Sequence, residues 1–210
     1  MRGGQAWLVS GIVIAGMGGL VLAAARSVLV VETPSSAGQP SKTAAQVAED
    51  KQDALRQRGA YLWSALDCNA CHTPRDQRGQ PIASMQMAGH PEGAPLPEWD
   101  PSMLSKNVLM TMDPTGTAFA GPWGVSVAPN LTPDKEHGIG RMTADQLISS
   151  WRSGRHWQQP REILPPMPAP AYATLNDDDI RAVHAFLMSL PPNKNNAPAS
   201  RVAPPPAQKN

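Results

Sequence analysis

Residues 61–72 read YLWSALDCNACH and contain both cysteines of this 210-residue chain, Cys68 and Cys71, followed directly by His72. The pattern Cys-x-x-Cys-His is the attachment signature of c-type haem. Thiols three positions apart lie on the same side of a helical turn, where each can bond to one vinyl group of a porphyrin. We therefore predict one covalently bound haem c, with its iron held from one side by the imidazole of His72.

Two other uses of paired cysteines suit the sequence less well. A thioredoxin-like redox pair belongs to a βαβ setting, whereas the residues before Cys68 have the pattern of a helix. A structural zinc site requires four ligands. With two cysteines, histidines would have to complete that set, and the chain has His72, His90, His137, His156 and His184.

The second axial ligand of the iron is predicted to be Met167. Iron held by His and Met is the arrangement of electron-transferring c-type cytochromes. Met167 stands in the stretch Leu164-Pro-Pro-Met-Pro168, in which three prolines stiffen the backbone. A stiff loop can hold a thioether over iron at little cost in entropy, and a purely structural loop is the alternative. No comparable feature marks Met85, Met87, Met103, Met110 or Met112.

Charged and aromatic residues just before Met167 are candidates for binding the haem propionates. A guanidinium matches the geometry of a carboxylate, and we assign this role to Arg155, Arg161 and the neighbouring Trp157. A solvated polar face is the alternative. His184 is expected to be a hydrogen-bonded core histidine, and His137 to be exposed.

Capping patterns and hydrophobic periodicity predict three helices in the chain. They run from Thr43 towards Leu66, from Thr143 to Gly154, and from Asn176 or Asp177 to Pro191. Gly59 in the middle of the first helix costs about 1 kcal/mol relative to Ala, which a close approach by another helix would explain. Residues 74–140 are rich in Pro and Gly, and we interpret them as loop with short helices.

The amino-terminal segment predicts export of the rest of the chain. Residues 7–25 carry no charge and are long enough to cross the hydrocarbon layer as a helix. We predict an uncleaved anchor over residues 1–31, a single-pass location in the inner membrane and a periplasmic haem domain. A cleaved secretory signal, with Ala23-Ala24-Ala25 as its cleavage site, is the alternative, and a buried helix is a third reading.

The remaining chain divides into a linker, a domain and a tail. Residues 32–42 are polar and rich in Pro, Ser and Gly, as linkers are. Residues 43–192 are predicted to form the cytochrome c domain, and residues 193–210 a disordered tail. The net charge of +1, without a long basic run, argues against nucleic acid as a partner.

Several stretches together resemble the class I cytochrome c domains of bacteria, in particular cytochrome subunits that accept electrons from periplasmic or membrane-bound dehydrogenases. The likeness covers residues 55–195. The resemblance implies an all-α fold with a long loop insertion, in which Gly59 and Phe186 mark the crossing of the first and last helices. It also implies His72 and Met167 as axial ligands. The matching stretches are residues 61–72, 121–124, 130–134, 138–140, 154–156, 164–168 and 175–192.

The expected function is electron transport, with iron cycling between ferrous and ferric and no catalytic residue assigned. The expected donor is a dehydrogenase or a quinol-oxidising complex. The expected acceptor is a high-potential protein such as a terminal oxidase or another cytochrome. One alternative is a haem relay or structural subunit within a larger oxidoreductase complex. Another is a haem enzyme or sensor whose Met167 can be displaced.

Overall fold

The computed structural model describes residues 42–204, and its longest helix leads directly into the cysteine motif. Helix α1 spans Ala44–Ala65. Thr43 and Gln46 form the predicted capping box, in which each side chain accepts a hydrogen bond from the other residue's backbone N–H. Asp67 then adopts a left-handed conformation, and the short helix α2 spans Cys68–His72. The predicted first helix is thus confirmed.

Three further helices follow in the second half of the chain. Helix α3 spans Ala144–Ser153 and ends at Gly154, whose left-handed conformation stops it as predicted. Helix α4 spans Ala169–Tyr172, directly after the Met167 loop. Helix α5 spans Asp177–Leu187 and is capped by Asn176, whose side-chain oxygen accepts a hydrogen bond from the Asp179 amide.

The core lies where α1 crosses α5 and where α3 packs against α5. Gly59 of α1 lies against Ala182 and Phe186 of α5, which confirms the predicted crossing. The rings of Trp63 and Phe186 pack beside it with centroids 5.2 Å apart. The main buried side chains of this core are Leu62, Met87, Ile139, Met142, Leu147, Trp151, Tyr172, Ile180, Val183 and Leu187.

The prediction of an all-α fold is wrong, because the chain carries a four-stranded antiparallel sheet. Three of its strands lie in the insertion, residues 74–140, and the fourth lies after α5. The strands pair in the order β1-β2-β3-β4. Strands of two to four residues are too short to show a period-two pattern, and β2 is buried along its whole length, so polar residues do not alternate in it. The strands are β1 Thr111–Met112, β2 Ala118–Gly121, β3 Gly124–Val127 and β4 Arg201–Val202.

The predicted transmembrane helix and single-pass location in the inner membrane also require correction. Within residues 42–204, no helix is long and apolar enough to cross a membrane. Even the 22-residue helix α1 carries charges along its length, such as Glu49, Lys51 and Arg58. The segment 7–25, on which the prediction rested, lies outside the described residues, as do residues 1–41 as a whole.

The segment after α5 contacts the domain as far as Ala203, although its composition predicted a disordered tail. Residues Arg201 and Val202 pair with Val125 and Gly124 of β3. The reason lies in tertiary contacts that composition does not encode, since asparagine side chains in this segment bond to backbone groups far away in sequence. Residues 205–210 lie outside the described part.

Candidate functional site

One cavity of about 310 Å³ opens between α2, α3, the Met167 loop and the sheet. Its size falls within the range of pockets that bind small molecules and cofactors. Six of the seven predicted site residues line it: Cys68, Cys71, His72, Trp157, Arg161 and Met167. Arg155, the seventh, is absent from the described residues that line the cavity, and its guanidinium donates to the carbonyl of Pro160.

Helix α2 places both thiols on the wall of this cavity. Cys68 and Cys71 are separated by one helical turn, and both are half-buried. Burial raises the pKa of Cys68 to about 11 and also raises the pKa of Cys71. Both groups are therefore thiols rather than thiolates at neutral pH.

His72 is buried and faces the cavity with a defined ring orientation. Its Nδ1 lies 3.1 Å from the carbonyl oxygen of Pro129. A carbonyl can only accept, so Nδ1 carries the proton and Nε2 keeps a free lone pair. Burial lowers the pKa of His72 to about 4, against the opposing effect of the Pro129 hydrogen bond. The imidazole is therefore neutral at pH 7, as a metal ligand must be.

The Met167 loop closes another part of the cavity wall. The amide of Met167 donates to the carbonyl of Leu164, and helix α4 begins two residues later. Tyr172 at the end of α4 anchors this turn, because its hydroxyl donates to the carbonyl of Leu66 at 2.8 Å, just before α2. The loop that carries Met167 is thus tied to the segment that carries the two cysteines.

One polar residue near the cavity, His137, differs from its predicted placement. His137 is half-buried and lines the cavity, rather than being exposed. His156 also lines it, and burial, with a smaller effect of Arg161, lowers the pKa of His156 to about 4. His184 is a hydrogen-bonded histidine as predicted, with Nε2 at 2.8 Å from the carbonyl of Met142.

Several cavity residues could not be picked out from the sequence. Met87, Phe119 and Val127 line the cavity from the insertion interpreted as loop. Residues 197–200 line it from the segment predicted to be disordered. The motif Asn130-Leu-Thr-Pro-Asp marked this region, but the role of the neighbouring Pro129 as the acceptor for His72 depends on tertiary structure alone.

The donor set and the lining fit a haem fastened through its vinyl groups. Two thiols and one imidazole with a free Nε2 come from a single short helix, and Met167 lines the same cavity from a separate loop. The rest of the lining is mainly apolar, with residues such as Leu147, Trp151 and Leu187. Within residues 42–204, no group of three or more His, Cys, Asp or Glu side chains could hold a metal ion.

Comparison with known proteins agrees with this fit. The family model described as cytochrome c matches residues 56–191. The chain is 33% identical over 141 residues to the cytochrome c subunit of the alcohol dehydrogenase (quinone) of Gluconobacter oxydans, covering 67% of this chain and 22% of that subunit. It is 32% identical over 145 residues to the gluconate 2-dehydrogenase cytochrome c subunit of Pantoea cypripedii. The match covers 69% of this chain and 25% of that subunit.

A third relative has a similar extent of match. The fructose dehydrogenase cytochrome subunit of Gluconobacter japonicus is 29% identical over 157 residues, which cover 75% of this chain and 23% of that protein. The chain thus spans about a quarter of the length of each of these three relatives.

Proposed function

This chain belongs to the cytochrome c family, whose members bind haem c and transfer electrons, and we propose that it is a carrier with a single haem. In this proposal Cys68 and Cys71 would hold the haem through two thioether bonds, each made by addition of its S–H across one vinyl group. His72 and Met167 would supply the protein ligands of the iron. The observation that carries the proposal is that these four side chains line one cavity.

The protein residues would hold the haem and adjust its reduction potential. The haem supplies the one-electron chemistry between ferrous and ferric iron. His72 presents Nε2 because Pro129 holds its Nδ1 proton. A thioether ligand and an apolar lining both favour the ferrous state, which carries less charge. Arg161 and Trp157 are proposed to contact the propionates, and the position of Arg155 does not support that role for it.

We propose redox proteins as partners. A dehydrogenase is the favoured donor, because the relatives described above are cytochrome subunits of alcohol, gluconate and fructose dehydrogenases. A quinol-oxidising complex is the other donor class. Ligation by His and Met raises the potential, so the acceptor is proposed to be a high-potential protein such as a terminal oxidase or another cytochrome.

A second candidate function is that of a relay subunit in a fixed oxidoreductase complex. The observation that favours it is that these relatives are themselves subunits. Purification under mild conditions separates the two candidates. A relay subunit stays in a stable complex with a dehydrogenase, whereas a carrier is recovered alone and exchanges electrons with added partners at a rate that depends on its concentration.

The absorption spectrum of the ferric holoprotein tests the proposed ligation. We expect a far-red sulfur-to-iron band in the parent protein, lost in Met167→Ala and retained in Met112→Ala, whose side chain is exposed on β1. Intact mass tests the haem count, with an expected increase of one haem over the polypeptide. A high-spin parent spectrum that responds to added ligands would reject the carrier and favour a haem enzyme or sensor.

A further inference from the structure

The carbonyl that orients His72 belongs to a loop that needs support from elsewhere in the fold. Pro129 is followed by Asn130, which is buried. The side-chain oxygen of Asn130 accepts hydrogen bonds from the backbone N–H and the hydroxyl of Thr132, at 2.9 and 2.7 Å. These bonds shape the loop, but they do not fix it relative to His72.

The segment after α5 supplies a first connection to this loop. The side-chain NH2 of Asn130 donates to the carbonyls of Asn193 and Asn195, at 2.7 and 3.0 Å. The backbone N–H of Asn193 donates to the Thr132 hydroxyl at 3.0 Å. The residue next to Pro129 is therefore bonded to a segment more than 60 positions away in sequence.

Asn195 makes a second connection, to the segment 88–92. Its side-chain NH2 donates to the carbonyls of Ala88 and His90, at 2.7 and 2.8 Å. Its side-chain oxygen accepts from the amide of Glu92 at 2.9 Å. Both protons and the oxygen of this side chain are thus used to hold one short stretch of backbone.

That stretch in turn touches both partners of the histidine hydrogen bond. The amide of Gly89 donates to the carbonyl of His72 at 2.9 Å, and the amide of His90 donates to the carbonyl of Ala128 at 3.0 Å. Gly89 has a φ of +75°, and a Cβ placed on it would lie 2.6 Å from the carbonyl oxygen of Pro129. A displacement of residues 88–90 therefore also displaces the oxygen that accepts from His72.

We propose that Asn195 is a positioning residue for the haem: together with Asn130 it holds the Pro129 carbonyl against Nδ1 of His72 and so lowers the reduction potential of the iron. The inference rests on the proposed function, since it takes His72 as a ligand. A hydrogen bond from Nδ1 to a carbonyl makes the imidazole a more basic ligand, and a more basic ligand favours the ferric state. Loosening the carbonyl weakens this effect.

The test compares two neighbouring asparagines in the full-length holoprotein. Asn195→Ala is expected to raise the midpoint potential, seen as a several-fold shift of the ferrous-to-ferric equilibrium. It is also expected to increase several-fold the solvent exchange rate of the His72 Nδ1 proton, measured by NMR of the ferrous form. Asn196→Ala is the matched control, because Asn196 is exposed and makes no side-chain hydrogen bond within the described residues. It should match the parent in both measurements.

A parent-like potential and proton exchange rate in Asn195→Ala would overturn the inference, as would equal shifts in the two variants. If Asn195→Ala yields no holoprotein, Asn195→Asp takes its place. Aspartate keeps the acceptor for the Glu92 amide but cannot donate to the two carbonyls, so the same two shifts are expected. Failure of the proposed function looks different, because the parent protein itself would then lack the spectrum of His/Met ligation.

Discussion

Gly59 of α1 lies against the backbone of Ala182 in α5, so closely that a Cβ on Gly59 would come within 1.9 Å of the Ala182 carbonyl oxygen. The carbonyl belongs to a helix and cannot rotate away. The contact therefore sets how near the first and last helices of the domain can approach. The two helices carry core residues on either side of it, including Leu62 and Val183.

We predict that Gly59→Ala destabilises the protein. Alanine gains about 1 kcal/mol in helix propensity, but inserting a carbon into a packed interface typically costs about 1–3 kcal/mol and more where backbone must move. Since the obstacle is backbone, we expect a net loss of about 2 kcal/mol in the free energy of unfolding, measured by denaturant titration. Gln57→Ala, on the exposed face of α1, serves as control. Unchanged stability in Gly59→Ala would contradict the close contact.

The two capping boxes allow a matched comparison of local and global stability. Thr43 and Thr143 make the same pair of hydrogen bonds, each with a glutamine three positions later. The first turns of α1 are exposed, whereas α3 buries Leu147 and Trp151. We expect Thr143→Ala to lower the unfolding free energy by about 1 kcal/mol, and Thr43→Ala to cause mainly fraying. Equal losses in the two variants would show that the start of α1 contributes to the core.

We expect the ionisation of Asp113 to make the stability of the fold depend on pH in the acidic range. Its buried carboxylate accepts hydrogen bonds from the amides of Thr115, Thr117 and Ala118. Burial raises the pKa of Asp113, but the Thr115 hydroxyl and these amides outweigh it and hold the pKa below its usual value. The carboxylate thus stabilises the fold above about pH 4, the pKa of an unfolded Asp, and this contribution is lost as pH falls through the lower folded pKa.

We predict that Asp113→Asn costs about 2 kcal/mol at pH 7, the scale of hydrogen bonds to a charged group. The difference from the parent should shrink below about pH 4, as measured by thermal unfolding at pH 7, 5 and 3. Asp178→Asn, at an exposed position in the first turn of α5, is the control. If the difference in stability between the parent and Asp113→Asn stays constant down to pH 3, the ionisation of Asp113 is not its source.

The two predicted propionate arginines can be separated by their effect on potential. Arg161 lines the cavity, whereas Arg155 bonds to the carbonyl of Pro160. A positive charge near the haem destabilises ferric iron, so Arg161→Gln should lower the midpoint potential, by on the order of 50 mV, or nearly a tenfold change in the ferrous-to-ferric ratio. Arg155→Gln should leave it unchanged. Redox titration of both variants measures the two midpoint potentials. A lower potential in Arg155→Gln with a parent-like potential in Arg161→Gln would assign the propionate contact to Arg155.

Helix ends and chemically distinctive residues could be predicted because their signals are local. The capping boxes at Thr43 and Thr143 and the stop at Gly154 involve residues within a few positions of each other. The cysteine pair and the methionine between prolines are equally local, and the structure brings them to one cavity. Gly59 in α1 also indicated a close contact. A glycine within a helix lowers helix stability, and closer packing against another helix can compensate for that loss.

The sheet and the segment after α5 could not be predicted because their signals are spread along the chain. Strand β4 pairs with β3 across more than 70 residues, and Asn195 bonds to backbone more than 100 positions away. Composition alone shows a stretch rich in Pro, Ala and Asn, which is also the composition of disordered tails. Likewise, nothing near Pro129 indicates that its carbonyl accepts from His72.

The crossing of α1 and α5 has a consequence for a chain that has been cut. A protease acting in the exposed stretch near Lys106 and Asn107 would separate the domain into two fragments, one with α1 and α2 and the other with the sheet, α3 and α5. The fragments should remain associated, because the packed helix pair spans the break. The proposed iron ligands would then come from two different polypeptides, and the cleaved protein should keep its colour until a denaturant parts them.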